Sequence, residues 1–496
     1  MVDKLTSVYG KQTALSRHVD ISRKGRAYSR FEIGYASLLL LVFSLSYLTG
    51  EQGLFPWMVL GIDFFCILMR KPSLLIPYSA FLVGNEAASV LILVVWMIGS
   101  SDVKLARIMD IKLDQELLFL GIVILALSFC QAWRAGTIAN TIISALYICF
   151  LGILAFACSQ SVIYEDLIRC TRLIVVLEFL TSLIICAKTG FIPGDEHFGT
   201  LSNAHFFGII CLVAFLLIAN ELSRGQMSGS RALAYLAMLI FMMLLADAKS
   251  VLGSGLICLF FFVIFWSIKN SDRTIVAFLW ATVFAFVVLS FYMAQPDARD
   301  LLTQNDFPLS SFFSKYVYDD GPQNKFDYFM GTTTQMLSDG HILYGYGLGT
   351  YGSRFANMLG YTYTYRDPSA FNELASIIFS SRMIPEYIPF ASAYNERLVS
   401  IIQWLSAVLT YPFSSFVALV AETGLFGVLA LGRALRKLKL GGASQALVAM
   451  FIGVCITDLY FDRIQVIGLV ILAIAGLENL RNAKKRKQLD IGGNEE

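Results

Sequence analysis

Hydrophobic residues make up 57% of this 496-residue chain, which carries 39 Phe and has a mean hydropathy of +0.66; an ordinary soluble domain is excluded. A net charge of +2 says nothing about nucleic acid, because the basic residues collect in short turns and the tail, and the nine cysteines have no ligand spacing, so neither a disulfide framework nor a metal cluster is implied. What remains is a polytopic, all-α membrane protein.

The first segment, 1–33, is too polar and too long ahead of its first apolar run for a cleaved signal; Arg23, Lys24, Arg26 and Arg30 predict that it stays in the cytoplasm. Apolar runs then recur at about 34–50, 53–69, 74–85, 87–100, 117–133, 138–158, 173–187, 205–220, 232–246, 250–268, 274–292, 411–432, 445–460 and 464–478. The stretch 74–100 is read as two short helices broken at Gly84, Asn85 and Glu86. With that break the basic residues of the turns, from Arg70 and Lys71 through Arg169, Arg172, Arg224 and Arg231 to Arg433, Arg436, Lys437 and Lys484, all fall on one side. The resulting organisation is a basic cytoplasmic segment 1–33, a transmembrane bundle 34–292, a large extracytoplasmic region 293–410, C-terminal transmembrane helices 411–478 and a basic cytoplasmic tail 479–496.

Candidate chemistry collects on the outer side. Asp247 and Lys249 interrupt two apolar runs; Lys249 is placed to meet an anionic lipid headgroup or diphosphate, with Asp247 orienting it, although a hydrated turn explains the same residues. In the large region, FNELASIIFSSRM and NERLVSIIQWLSAVL have partial helical periodicity. The run GYGLGTYG holds Gly345, Gly347, Gly349 and Gly352. It is a weak phosphate cradle, since no strand-then-helix pattern flanks it, and a better tight turn with positive φ.

His341 lies beside that turn as a candidate general base, with an external carboxylate as the alternative. Arg354 and Arg382 are the leading cations for a diphosphate, because a guanidinium fork suits phosphate oxygens without a metal. Arg366 and Arg397 have Asp367 and Glu396 as neighbours and serve either the substrate or an ion pair. Tyr346 is a platform for a sugar ring or part of an interfacial belt. Arg463, following Asp458 and Asp462, faces a polar cavity or pairs with an adjacent helix. Glu422 falls in mid-helix, where an unpaired carboxylate is costly. His205 is read as capping the helix after it. No cofactor or metal site is expected.

Three stretches, LSNAHFFG, GYGLGTYG and FSSFVALVAETGLFG, resemble the bacterial O-antigen and capsular polysaccharide polymerase family (Wzy) and the related O-antigen ligases. Ser414, Gly424 and Gly427 match the ligase signature, whereas Phe413 stands where the ligases have histidine, and Lys249 stands where the family commonly has arginine. The resemblance implies a GT-C-like helical bundle with a large external loop. It also implies metal-independent transfer between undecaprenyl-diphosphate-linked oligosaccharides at the outer face of the bacterial cytoplasmic membrane, with a flippase and a chain-length regulator as partners. The expected function is therefore a polymerase of lipid-linked repeat units. A glycan ligase, a lipid-linked oligosaccharide flippase and a structural subunit are the competing readings.

Overall fold

The computed structural model describes residues 29–69, 74–100, 115–135, 138–190, 199–201, 203–246, 325–349, 415–438, 440–457 and 463–492. These residues form helices throughout, with no strand among them: α1 (Arg30–Thr49), a short 3-10 turn (Gln52–Leu54), α2 (Phe55–Leu68), α3 (Leu75–Leu82), α4 (Glu86–Gly99), α5 (Gln115–Ala135), α6 (Ile138–Ser161), α7 (Tyr164–Thr189), α8 (Ala204–Ser223), α9 (Gly229–Leu245), α10 (Lys325–Ser338), α11 (Ser415–Lys437), α12 (Gly442–Thr457) and α13 (Ile464–Gly492). Seven of them, α1, α5, α6, α7, α8, α11 and α13, are long and apolar enough to cross a membrane. The protein is thus an all-α, multi-pass membrane protein. The expected spans at 250–268 and 274–292 lie outside the described residues.

The break expected near residues 84–86 is present. Helix α3 has eight residues, about 12 Å at 1.5 Å per residue, and every one of them is buried. Val83 is extended, and Asn85 caps α4 by accepting the Ala88 N–H at 3.1 Å. A short interrupted helix inside a membrane bundle leaves backbone groups that lipid cannot satisfy. Gln465 on α13 meets that need, its Nε2 donating to Val83 O and Ser89 Oγ, both at 3.3 Å. The turn is held against α13 by close contact as well: a Cβ on Gly468 would lie 3.0 Å from Cζ of Phe81, which is itself fully buried.

Helix α8 is the axis of the bundle, with 78% of its membrane-length window buried, whereas α5 sits at the rim with 11%. Leu212, Val213, Ile218 and Phe207 of α8 join Leu239 and Met242 of α9, Ile174 of α7 and Leu469 of α13 in one core. Two carboxylates are embedded in it. Asp63 of α2 accepts from the hydroxyls of Tyr35 and, at 2.7 Å, Ser79. Glu178 of α7 accepts from the Thr200 hydroxyl at 2.6 Å, the Thr200 N–H at 3.0 Å and the Thr181 hydroxyl at 3.2 Å. Both follow the rule that a buried charge needs donors. Glu178 draws the turn before α8 down into the bundle, and Gly199, at φ +59°, has no room for a side chain between Glu178 and Phe207.

The ion pairs gather one set of helix ends together. Arg169 meets Glu32 at 3.1 Å and also bonds Asp166; Arg172 meets Glu221 at 3.0 Å; Arg433 pairs with Glu116; Arg481 meets Glu478 at 3.0 Å. At the opposite end Arg463 reaches Glu86 at 2.9 Å, and Lys188 donates to Tyr47 O at 3.2 Å. Helix α13 does not stop at 478 but continues to Gly492, so the start of the basic tail is helical.

Candidate functional site

The large polar region contributes α10 and the turn that follows it, and these are locked into a gap in α11. Gly424 takes φ +62° and ψ −159°, which no helix contains, so α11 is broken there into two halves. A broken transmembrane helix exposes carbonyls on one side of the gap and N–H groups on the other, each costly in a dry bundle. Residues 342–347 run across the gap and satisfy them. Tyr346 N–H donates to Ala421 O at 2.8 Å and Gly347 N–H to Glu422 O at 2.9 Å, while Leu425 and Phe426 donate to Ile342 O and Leu343 O at 3.0 and 3.1 Å.

The approach is so close that only glycine fits at either crossing point. A Cβ on Gly345 would lie 2.5 Å from Glu422 O and 2.6 Å from Thr423 N. A Cβ on Gly424 would lie 2.5 Å from both Leu343 O and Tyr344 N. Gly345, Gly347 and Gly349 all have positive φ, at 71°, 105° and 74°. The far end of the turn is pinned on α5 and α6, where Leu348 N–H donates to Ser128 Oγ at 3.1 Å and Leu348 O accepts from Thr141 Oγ1 at 2.9 Å. Glu422, the mid-helix anomaly, is explained by the same feature: it sits at the break, buried, and accepts the Gly349 N–H at 2.8 Å.

For residues 345 to 349 of the glycine run, this arrangement decides between the two readings. The N–H groups of residues 345 to 349 are all used within the chain, Gly345 donating to His341 O at 2.7 Å and the other four as described. A phosphate cradle needs N–H groups that point at the ligand. The turn is a structural clip and not an anion nest.

His341 is held on this clip. Its Nδ1 lies 2.9 Å from Gly345 O, and a carbonyl only accepts, so Nδ1 carries a proton and, in the neutral ring, Nε2 is the nitrogen with the lone pair. The imidazole stacks on Tyr346 with centroids 4.6 Å apart and meets Tyr344 edge-on at 5.2 Å. Tyr346 in turn donates to Asp339 Oδ2 at 2.8 Å. Nε2 has no hydrogen-bond partner among the described residues, and the ring is half-buried. The arrangement can take a proton from a neighbouring hydroxyl.

Tyr346 differs from its expected place as a sugar platform. It is 6% exposed, one face is covered by His341 and its hydroxyl is committed to Asp339, so it supports the imidazole and presents no open ring to a ligand. Half-buried Tyr344 keeps more of its surface. Arg463 stands at the same end of the bundle as α4 and α8 begin, paired with Glu86 and lying 5.1 Å over the Phe206 ring. Of its two expected roles it therefore fulfils the pairing with an adjacent helix. His205 does not cap α8; Asn203 does, accepting from His205 N and Phe206 N at 2.9 and 3.1 Å.

Asp247, Lys249, Arg354, Arg366, Arg382 and Arg397 lie outside the described residues, as do the two amphipathic stretches of the large region. Helix α10 and Asp339, which directly follows it, were not anticipated. Helical spacing of Phe326, Phe329, Met330 and Thr333 was a weak signal for that helix, and nothing in the sequence marked Asp339 as a partner for Tyr346. Among the described residues no group of histidine, cysteine, aspartate and glutamate could hold a metal ion. No protein-family model matches the chain, and no curated protein or solved structure matches it.

Proposed function

We propose that the protein is a membrane glycosyltransferase that polymerises lipid-linked oligosaccharide repeat units, moving a glycan from a polyprenyl diphosphate to a sugar hydroxyl of a second lipid-linked unit. The observation that carries this reading is His341: an imidazole whose Nδ1 is tied to Gly345 O and whose Nε2 has no partner among the described residues, mounted on a rigid clip where the polar region meets the bundle. In the reaction Nε2 accepts the proton of the attacking hydroxyl as its oxygen bonds to the anomeric carbon. The bond from that carbon to the diphosphate oxygen breaks, and the diphosphate departs with the electron pair. Arg354, Arg382 and Lys249 are the cations assigned to the charge growing on that leaving group. Arg366 and Arg397 are assigned to substrate binding, and no cofactor takes part.

The basic helix ends, with Arg169, Arg172, Arg224, Arg231, Arg433, Arg436 and Arg481, support a cytoplasmic assignment for that end and an outer position for His341. The test is deletion of the gene in the native host, complemented by wild type or His341→Ala, with the surface glycan read by gel. Single repeat units without a ladder, in both the deletion and the His341→Ala strain, are the expected result. An accumulated lipid-linked polymer would replace this reading by a ligase, and lipid-linked units trapped on the cytoplasmic face would replace it by a flippase.

A further inference from the structure

Asp63 of α2 is fully buried and takes no part in the chemistry proposed at the clip. Its carboxyl meets hydroxyls from two neighbouring helices, Tyr35 of α1 at Oδ1 and Ser79 of α3 at Oδ2, and no cation pairs with it among the described residues. The other ionisable groups nearby are committed or apolar in character. Cys66 lies one turn further along α2, Tyr78 of α3 is turned to Thr171 of α7, and Glu86 of α4, the helix packed on α2, is paired with Arg463. An isolated carboxylate in such a place bears the full cost of its lost hydration.

Described as a carboxylate, Asp63 would accept from both hydroxyls; the protons at Ser79 do not allow that. Ser79 Oγ lies 2.7 Å from Asp63 Oδ2 and 2.6 Å from Ile76 O, and a hydroxyl carries a single proton. Both distances are those of full O–H···O bonds. Where a hydroxyl of this protein lies between two acceptors, one contact is short and the other long: 2.8 and 3.3 Å at Thr49, 2.8 and 3.2 Å at Thr181, 2.9 and 3.4 Å at Thr189, 2.8 and 3.2 Å at Ser338. Two short contacts occur at Thr171, whose Oγ1 is 2.8 Å from Leu167 O and 2.5 Å from the Tyr78 hydroxyl, and there the tyrosine brings the second proton. At Ser79 the second proton has to come from Asp63, because Ile76 O is a carbonyl and only accepts. Ser79 therefore donates to Ile76 O, and Asp63 Oδ2 carries a proton of its own that it donates to Ser79 Oγ.

We propose that Asp63 is a proton-binding site of the transmembrane bundle: a neutral carboxylic acid that accepts from Tyr35, donates its bound proton to Ser79 and so joins α1, α2 and α3. The proton resides on Oδ2 itself and needs no cavity. Assembly of the three helices takes up one proton from water, which turns an acid that the bundle would exclude as a carboxylate into a link between helices. The site is independent of the glycan chemistry proposed at the clip.

The test is infrared spectroscopy of the purified full chain at neutral pH, with aspartate isotopically labelled at its side-chain carboxyl carbon. A protonated-carboxyl C=O band that shifts with the label is expected in wild type and is lost in Asp63→Asn. In Ser79→Ala the band should persist at higher frequency, because the O–H has lost its acceptor. Hydrogen–deuterium exchange over α3, residues 75–82, is the second readout. An asparagine amide can donate to Ser79 Oγ and its carbonyl can accept from Tyr35, as the neutral acid does. Asp63→Asn should therefore exchange within about twofold of wild type, and Asp63→Ala about 2- to 10-fold faster. No label-sensitive band in wild type, the same band in Asp63→Asn, or exchange in Asp63→Asn as fast as in Asp63→Ala would each overturn the bound proton. Should Asp63→Asn not fold, Ser79→Ala decides instead: a band moved to higher frequency supports the site, and an unmoved band overturns it.

Discussion

Gly345→Ala is the perturbation that most directly questions the clip. Two costs act together at this position. The left-handed backbone, φ +71°, costs an alanine about 1–2 kcal/mol. The new Cβ would also lie 2.5 Å from Glu422 O and 2.6 Å from Thr423 N, which are backbone atoms and cannot rotate away, so overpacking adds about 1–3 kcal/mol. Gly340 is the matched control: its φ is +74°, but nothing lies within 4 Å of a Cβ placed there, so Gly340→Ala bears the first cost alone. The readout is hydrogen–deuterium exchange of a peptide covering 341–349, because all five N–H groups of residues 345 to 349 are bonded inside the chain. Gly345→Ala should exchange about 5- to 150-fold faster than Gly340→Ala at these amides, the rate equivalent of the steric difference. Gly424→Ala, which meets Leu343 O and Tyr344 N from the other side, should behave like Gly345→Ala. Equal exchange in the Gly340 and Gly345 variants would refute the threading of the turn through the helix break.

Glu422→Ala leaves the buried Gly349 N–H without its acceptor and should destabilise the clip by about 1–3 kcal/mol, seen as faster exchange at Gly349 with Gly345 less affected. Asn203→Ala removes the cap of α8 and should lower stability by about 1 kcal/mol in thermal unfolding of the purified protein, while Asn203→Ser, which can still cap, keeps most of it. Gly468→Ala pushes a methyl against the Phe81 ring and should cost about 1–3 kcal/mol; adding Phe81→Leu should recover part of that loss, and additive losses in the double variant would argue against this contact.

Composition and span lengths were enough to establish a multi-pass helical protein, because a hydrocarbon layer permits few backbone solutions and marks each with a long apolar run. The break before α4 was also legible, since Gly84, Asn85 and Glu86 interrupt an apolar stretch and the distribution of basic residues required a turn there. Glu422 was recognised as anomalous from its position in an apolar run, and the glycine run as a site of positive φ. That these two features are one object was decided only by tertiary structure. Their partners are separated by more than seventy residues, as in Gly349 and Glu422, and hydrogen bonds across such distances leave no spacing in the sequence. The same holds for Tyr346, whose burial follows from His341 on one face and Asp339 at its hydroxyl, and for Arg463, whose charge is answered by Glu86 on a helix 377 positions away. Local sequence dictates where a backbone bends and which side chains are out of place in lipid. Which distant group satisfies each of them is fixed by packing, where unmet polar atoms are too costly to leave.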